Sequence, residues 1–168
     1  MSRRLVAAAF VSALMLAGCG LQQDLSQVPF GNGPTGPATP ITAPTVTGST
    51  YDWSLTHGHV IVLDFWGSWC GPCNQEQPAL DALAKQWTPK GVVFLGVDLQ
   101  DTDPDAIAYE RNYGVPYPSV NDASEVITSE YNVISPPTVV IVDAKGNIVD
   151  RFLGTLVGVN ADLIRLTS

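Results

Sequence analysis

The sequence predicts an α/β fold built around a mixed β-sheet, and two observations support this prediction. From Tyr51 onward, short runs rich in β-branched residues alternate with amphipathic stretches, which is typical of βα units. Hydrophobic residues make up 45% of the 168 residues, enough to fill a core. At roughly 100 to 200 residues per domain, this length suits one compact domain and a further segment.

The first predicted elements are a strand, a helix and a second strand. His59–Phe65 predicts a buried central strand. A helix is expected to begin near Pro72 and to end before Pro89 and Gly91. Its apolar residues recur at three- and four-residue spacing, at Leu80, Leu83, Ala84 and Trp87. Val92–Val97 predicts the strand that follows.

Three more helices and a β-hairpin are predicted in the second half of the domain. The helices are expected over Pro104–Tyr113 with Asp103 as its cap, over Ser124–Tyr131 and over Asn160–Leu166. The hairpin pairs Thr138–Val142 with Ile148–Phe152 across the turn Asp143–Asn147.

The first 18 residues have the architecture of a signal peptide. A cationic start at Arg3 and Arg4 precedes the apolar run Leu5–Ala17, which is too short for a helix that crosses a bilayer. The ending Leu16–Cys19 resembles the bacterial lipoprotein signal, which implies that Cys19 receives a lipid and anchors the protein outside the plasma membrane. The alternative is an ordinary secretory cleavage site followed by an incidental cysteine.

Residues 19–50 are rich in Pro, Gly and Thr and are predicted to be a tether, with the folded domain over 51–168. The alternative is a loop packed on the domain. The chain carries 8 basic and 16 acidic residues, a net charge of −8 that becomes more negative if Arg3 and Arg4 are removed with the leader. Nucleic acid is therefore not expected as a partner, because phosphate binding requires a basic face.

The chemistry is expected at the Cys-X-X-Cys segment. If Cys19 is lipidated, the three cysteines leave one pair, Cys70 and Cys73. This pair follows the buried strand and opens the helix, so unpaired N–H groups and the helix dipole favour a Cys70 thiolate, the nucleophile of disulfide exchange. Cys73, one turn further, is placed to resolve the mixed disulfide. Gly71 leaves room for a partner backbone, and Pro72 suits the start of a helix.

Two other interpretations of this pair remain. A zinc site needs two more ligands, and the available histidines, His57 and His59, both precede the buried strand or lie at its start. A purely structural disulfide is the second alternative, since exported proteins often contain one. Asp98, Asp101, Asp103 and Asp105 resemble a calcium loop only superficially and are expected to form a solvated loop and helix cap. No metal site is predicted.

The segment Asp64–Cys73 resembles the active-site segment of the thioredoxin superfamily. Cys73–Pro78, Pro136–Asp143 and Gly146 are similar to the membrane-tethered branch of TlpA, ResA and DsbE. The resemblance covers about residues 51–168. It implies a thioredoxin fold with an extra βα element between Val97 and Thr138.

The resemblance also implies roles for individual residues. Cys70 matches the attacking cysteine, Cys73 the resolving cysteine, and Pro137 the cis-proline that faces the sulfur atoms. Asp64 and Glu76 match two carboxylate positions, and either is a candidate base for the Cys73 proton. The alternatives are an exposed first-turn residue for Glu76 and a strand-end residue for Asp64.

Residues around these positions are expected to contact the substrate, namely Trp69, Gly71, Pro72, Pro136 and Thr138. Trp66 and Trp69 are expected to wall the site. Pro136 has no N–H, so it lacks one of the backbone donors that a paired substrate strand would use.

Taken together, the sequence predicts a lipid-anchored, extracytoplasmic thiol-disulfide oxidoreductase that needs no cofactor beyond the Cys70–Cys73 pair. The resemblance suggests a reductant for apocytochrome c or for the copper site of a respiratory oxidase, supplied by a membrane thiol carrier, and the Gly71-Pro72 dipeptide favours reduction. The alternatives are an oxidative-folding enzyme that donates its disulfide to exported proteins and a Cu(I) chaperone that uses both thiolates.

Overall fold

The computed structural model describes residues 35–168, which fold around a six-stranded sheet. Its strands, in chain order, are β1 (Gly36–Pro37), β4 (Ile61–Trp66), β5 (Val93–Leu99), β6 (Ser119–Asp122), β7 (Thr138–Val142) and β8 (Asn147–Leu153). A separate two-stranded sheet contains β2 (Thr42–Pro44) and β3 (Thr50–Asp52). The α-helices of this part of the chain are α1 (Gly71–Trp87), α2 (Asp103–Tyr113), α3 (Val126–Glu130) and α4 (Val159–Leu166).

The strand order is β1-β8-β7-β4-β5-β6, which confirms the predicted mixed sheet. Strands β4, β5 and β6 run parallel, whereas β7 is antiparallel to β4 and pairs with β8 as the predicted hairpin. Helix α2 connects β5 to β6, and β6 forms the edge of the sheet beside β5. Helix α2 and strand β6 are the expected extra βα element between β5 and β7.

Strand β4 lies at the centre of the domain, and all six of its residues are buried. Its side chains alternate between two hydrophobic clusters because successive residues of a strand point to opposite faces. Leu63 and Phe65 belong to the cluster on one face. Val62 belongs to the other cluster, together with Leu80 of α1 and Leu163 of α4. The strand ends at Trp66, which belongs to a third cluster together with Cys70 and Cys73.

Several element boundaries differ from the sequence predictions. The cap of α2 is Thr102 and not Asp103, because the Thr102 hydroxyl accepts the Asp105 N–H. Helix α3 begins only at Val126, since Glu125 has a positive φ of 57° that is incompatible with a helix. The resemblance implies an extra strand in this region, but the pattern does not place β6: three of its four residues are Ser119, Asn121 and Asp122, and this polar composition conceals a strand that pairs with β5.

The segment before Tyr51 packs on the domain over its described part, which contradicts the predicted tether boundary there. Ile41 and Val46 are only 2% and 3% exposed. The Val46 N–H donates to the Ser119 carbonyl at 3.0 Å, and β1 pairs with β8. Isolated apolar residues among Pro, Gly and Thr have no periodicity, so the sequence pattern does not reveal that they enter the core.

The predicted signal peptide, the lipidation site at Cys19 and the start of the tether lie outside the described residues. Within residues 35–168, no helix combines the length and the apolar character that a membrane crossing requires.

Candidate active site

Cys70 and Cys73 form a disulfide at the start of α1, as the sequence predicted. The two sulfur atoms are 2.03 Å apart, and both residues are buried, with 4% and 3% of their surface exposed. Cys70 caps the helix: its Sγ accepts the Cys73 N–H at 3.2 Å. A thiolate at this position is stabilised by that N–H and by the positive end of the helix dipole.

The two residues between the cysteines face solvent. Gly71 and Pro72 are exposed, and a Cβ atom added at Gly71 would meet no atom within 4 Å. Pro72 lies in the first turn of α1, where no intrahelical partner is available for an N–H. The surface over the disulfide is therefore open to an approaching chain.

The turn between β4 and the disulfide is held by the last residue of β5 and by the loop that follows it. Asp101 accepts two hydrogen bonds from Ser68, one from its N–H at 2.5 Å and one from its hydroxyl at 2.7 Å. The indole N–H of Trp69 donates to the Leu99 carbonyl at 3.0 Å. Gly67 is required beside this indole, because a Cβ there would lie 2.7 Å from the indole nitrogen. The prediction of a solvated loop is wrong for Asp98, which is 0% exposed in β5, whereas Asp101 lies in the loop and is half-buried.

The two tryptophans have different surroundings. Trp69 is 54% exposed beside the disulfide. Trp66 is 1% exposed, shares a cluster with Cys70 and Cys73, and stacks on Tyr109 of α2 with ring centroids 4.3 Å apart. Trp66 is thus a buried wall behind the disulfide, and Trp69 is an exposed rim.

Pro137 follows a cis peptide bond, as expected, and immediately precedes β7. In the register of β4 and β7, Thr138 pairs with Phe65, so Pro137 lies beside the end of β4 from which the active-site turn departs. Thr138 is buried and its hydroxyl donates to the Ser135 carbonyl at 2.7 Å. The Pro137 carbonyl accepts the Gly154 N–H at 2.9 Å, which fixes the loop after β8 next to it.

Asp64 is a buried carboxyl on β4, on the same face of the strand as Trp66. It is 4% exposed and accepts a hydrogen bond from the Tyr117 hydroxyl at 3.0 Å. Burial raises the pKa of Asp64 to about 7, although the Tyr117 hydrogen bond lowers it, and the charges of Glu76 and Asp81 raise it further. This carboxyl is therefore placed to exchange a proton near neutral pH.

A buried hydrogen-bond network connects Asp64 to α1 and α2. The Gln77 amide donates to the Tyr117 hydroxyl and to Asp81, each at 2.8 Å. Its carbonyl oxygen accepts from the Tyr109 hydroxyl at 3.1 Å. Both amide hydrogens and the carbonyl of Gln77 have partners, so the orientation of the Tyr117 hydroxyl toward Asp64 is fixed. Sequence patterns did not identify these residues; the Pro-Tyr-Pro sequence around Tyr117 is the one local signal of a constrained aromatic.

Glu76 lies on α1 one turn after Cys73 and is half-buried. Burial raises its pKa, and its charge also acts on Asp64. Asp64 and Glu76 thus share one electrostatic environment, but Asp64 is the one whose carboxyl belongs to the buried network.

The remaining candidates lie away from the disulfide. His57 and His59 line a cavity of about 350 Å³ with Asp143 and Lys145 near the opposite end of β4. Residues 35–168 contain no group of three or more His, Cys, Asp or Glu side chains arranged to hold a metal ion.

The family model described as Redoxin matches residues 32–162. The thiol-disulfide oxidoreductase ResA of Bacillus thuringiensis (strain Al Hakam) is 32% identical over 97 residues, which are 58% of this chain and 56% of that relative. The thioredoxin-like protein YneN of Bacillus subtilis (strain 168) is 33% identical over 114 residues, or 67% of this chain and 66% of YneN. The matched region therefore spans little more than half the length of ResA.

Solved structures have the same fold. A secreted Mycobacterium tuberculosis disulfide oxidoreductase homologous to Escherichia coli DsbE has a TM-score of 0.67 and 27% identity, covering 75% of this chain and 96% of its own. A thioredoxin family thiol:disulfide interchange protein from Chlorobium tepidum has a TM-score of 0.72 at 22% identity, covering 82% and 99%. The fold is that of thioredoxin.

Proposed function

The chain belongs to the Redoxin family, and on this premise we propose that it is a thiol-disulfide oxidoreductase that works through Cys70 and Cys73. The observation that carries the proposal is the pair itself: a disulfide that caps α1 beneath an exposed Gly71-Pro72 surface, with the buried carboxyl of Asp64 on the adjoining strand. The names of ResA and of the secreted M. tuberculosis protein support it.

The reduced protein transfers two electrons to a substrate disulfide in two exchanges. The Cys70 thiolate attacks one substrate sulfur, forms a mixed disulfide and releases the other substrate sulfur as a thiolate, which takes up a proton. The Cys73 thiolate then attacks the Cys70 sulfur, so that the Cys70–Cys73 disulfide forms and the second substrate thiol leaves. The substrate disulfide is reduced to two thiols, and the dithiol of the protein is oxidised.

Asp64 is proposed as the base for the second exchange. Cys73 is buried and must lose its proton before it attacks, and a carboxylate with a pKa near 7 accepts that proton at neutral pH. Glu76 is the second candidate, because burial raises its pKa as well. Trp69, Gly71 and Pro72 are proposed to contact the substrate backbone because they are exposed beside the disulfide. Pro136, Pro137 and Thr138 are proposed as further contacts because they lie beside the end of β4 that leads into the active-site turn.

We propose that the protein is an extracytoplasmic reductant, anchored through a lipid on Cys19 and re-reduced by a membrane thiol carrier. The Gly71-Pro72 dipeptide favours reduction, and the resemblance to the ResA and DsbE branch suggests client thiols of apocytochrome c or of a respiratory copper site. No cofactor beyond the cysteine pair is proposed.

A trapping experiment tests the assignment of the cysteines. The Cys73→Ser variant should accumulate a mixed disulfide with a disulfide-containing peptide, because the thiol that resolves it is missing. The matched Cys70→Ser variant should not. Equal trapping by both variants would contradict the proposed roles.

The reduction potential of the Cys70–Cys73 pair, measured by thiol alkylation in defined thiol buffers, tests the direction. A value near or below about −220 mV supports a reductant, whereas a value near −120 mV indicates an enzyme that donates its disulfide. Tight stoichiometric Cu(I) binding without insulin reduction would instead indicate a copper chaperone.

A further inference from the structure

Gln77 is a buried amide on α1, one turn after the disulfide. The residue is 2% exposed, and both of its amide hydrogens and its carbonyl oxygen have partners. The nitrogen donates to Asp81 and to the Tyr117 hydroxyl, each at 2.8 Å. The carbonyl oxygen accepts from the Tyr109 hydroxyl at 3.1 Å. The amide therefore links α1 to α2 and to the segment before β6.

The orientation of this amide is determined by Asp81. A carboxylate accepts hydrogen bonds and has none to donate, so the amide nitrogen, and not the oxygen, faces Asp81. The oxygen is then left to accept from Tyr109. The second hydrogen of the nitrogen is directed at the oxygen of Tyr117. The direction of each hydrogen bond in the network thus follows from one carboxylate.

This direction matters at Tyr117, whose hydroxyl has a single hydrogen. Its oxygen accepts from Gln77, so the hydrogen is directed at Oδ2 of Asp64, 3.0 Å away. A donated hydrogen bond stabilises the ionised form of a carboxyl. Because the Gln77 N–H occupies the Tyr117 oxygen, a protonated Asp64 has to compete for that oxygen as an acceptor. Gln77 therefore favours the ionised form of Asp64.

We propose that Gln77 is a positioning residue for the second exchange: it commits the Tyr117 hydroxyl to donate to Asp64 and thereby keeps Asp64 a proton acceptor. The effect on disulfide exchange rests on the proposed function, whereas the effect on Asp64 does not. Gln77 acts through Tyr117 and not by contact with the reacting sulfur atoms.

The other charges near Asp64 do not replace this hydrogen bond. The titratable groups around it lie on α1, on α2 and in the segment before β6, namely Glu76, Asp81, Tyr109 and Tyr117. Its neighbours in the sheet register do not titrate, namely Gly96 on β5 and Val139 on β7. Burial and the charges of Glu76 and Asp81 raise the pKa of Asp64, and the Tyr117 hydrogen bond lowers it. The direction of that one bond therefore decides how strongly Asp64 holds a proton.

The carboxyl ¹³C titration of Asp64 in the oxidised protein tests the proposal. Gln77→Met keeps a side chain of similar length but removes its donors, so that protonated Asp64 can donate to Tyr117. We expect the midpoint, near 7 in the wild type, to rise by about 0.7 unit, the shift that one net hydrogen bond represents. Gln75→Met is the matched control on the exposed side of α1 and should leave the midpoint unchanged. Equal midpoints in the wild type and Gln77→Met would overturn the proposal.

A second titration separates positioning from a general change in polarity. A more apolar side chain at position 77 also raises the pKa of Asp64 by desolvation, with or without Tyr117. In the Tyr117→Phe background, the proposal predicts that Gln77→Met no longer shifts the midpoint, because the hydroxyl through which Gln77 acts is missing. The same shift in both backgrounds would overturn the proposal.

The wild type provides a test that needs no variant. Both side-chain amide hydrogens of Gln77 are buried and hydrogen-bonded, so they should exchange with solvent at least about tenfold more slowly than those of the exposed Gln75. Equally rapid exchange at the two residues would contradict the network, and this result does not depend on whether Gln77→Met folds.

The consequence for the reaction is measured by the pH profile of peptide release from a mixed disulfide on Cys70. In Gln77→Met the profile should move to higher pH together with the Asp64 midpoint, by about 0.7 unit, and reach the wild-type rate at high pH. A rate lowered by the same factor at every pH would indicate a structural role and overturn the positioning role. If the wild type releases no peptide at any pH, the proposed function fails, and the Asp64 titrations still decide whether Gln77 acts through Tyr117.

Discussion

Asp64 and Asp98 are two buried aspartates on neighbouring parallel strands, yet they have opposite surroundings. The register pairs Asp64 with Gly96 and Trp66 with Asp98, so both carboxyls lie on the same face of the sheet, close to its carboxyl end. Asp64 receives a hydrogen bond from Tyr117. Asp98 receives none and faces three other carboxyl groups.

The comparison shows that burial alone does not decide what a buried carboxyl does. Desolvation is the largest cause of the raised pKa in both residues, but the value is about 7 for Asp64 and about 9 for Asp98. A donor such as Tyr117 stabilises the ionised form, whereas neighbouring carboxylates destabilise it. Asp64 can therefore change its protonation state at neutral pH, whereas Asp98 remains an uncharged acid at that pH.

The largest expected difference between the two aspartates is in catalysis. Asp64→Asn removes the proposed base, and we expect insulin reduction at pH 7 to fall by about 100-fold, the lower range for loss of a general base. Asp98→Asn leaves Asp64 and its hydrogen bond from Tyr117 in place and should lose less than about fivefold. Both losses are measured as kcat/KM. Equal losses in the two variants would contradict the assignment of Asp64, and not Asp98, as the base.

The second difference is in how stability depends on pH. For Asp64 the folded pKa of about 7 exceeds the unfolded value of about 3.9, so the native state holds a proton that the unfolded state has released. The stability of the wild type relative to Asp64→Asn should therefore decrease as the pH rises from 4 to 7, by about 4 kcal/mol in total, and then level off.

For Asp98 the corresponding decrease should continue to a pH of about 9, because its folded pKa is higher. Urea unfolding of the wild type, Asp64→Asn and Asp98→Asn at a series of pH values measures the pH at which each of the two decreases in stability ends. Curves that level off at the same pH would show that the two carboxyls do not differ in ionisation.

Tyr117→Phe removes the hydroxyl that donates a hydrogen bond to Asp64, so that Asp64, like Asp98, is left without this stabilisation of its ionised form. We expect the pKa of Asp64 to rise by about one unit, which corresponds to a hydrogen bond to a charged group of roughly 1.5 kcal/mol. The carboxyl ¹³C titration of Asp64 measures this shift. Tyr109→Phe is the matched control: its hydroxyl bonds to Gln77 and not to Asp64, so its effect should be smaller. A larger shift in the control would contradict the assigned network.

The smallest expected effect concerns the turn that Asp101 holds. Ser68→Ala removes one of its two hydrogen bonds to Asp101 and should lower the free energy of unfolding by about 1 kcal/mol. The same substitution in the Asp101→Ala background should cost less, because the acceptor of the Ser68 hydroxyl is then already missing. A double-mutant cycle by urea unfolding measures this coupling, and strict additivity would count against it.

The central features of the site follow from local sequence. The strand pattern that ends before Cys70 and the Pro72 that suits a first helical turn together place Cys70 and Cys73 at the start of α1. Pro137 lies before β7, at the position that the resemblance implies. These features need only short segments, in which strand, turn and helix signals agree.

The environment of the site is not predictable in the same way. The Tyr117 hydroxyl and the Asp64 carboxyl are 53 residues apart in sequence, and Asp101 and Ser68 are 33 apart. Such contacts depend on how α2 and β6 pack beside β5, which no local pattern specifies. An aspartate in an acidic run is expected to be solvated, and the burial of Asp98 becomes visible only once β5 is placed inside the sheet.

The most direct test of the account is the pH dependence of the second exchange, in which Cys73 resolves a preformed mixed disulfide on Cys70. In the wild type and in Asp64→Asn, the same peptide is attached to Cys70 at low pH, where Cys73 keeps its proton and does not attack. A rapid jump to the test pH then gives the single-turnover rate of peptide release. The account predicts that the wild-type rate rises with a midpoint near pH 7 and that Asp64→Asn is slow and lacks this inflection. Superimposable profiles for the two proteins would contradict the assignment of Asp64 as the base.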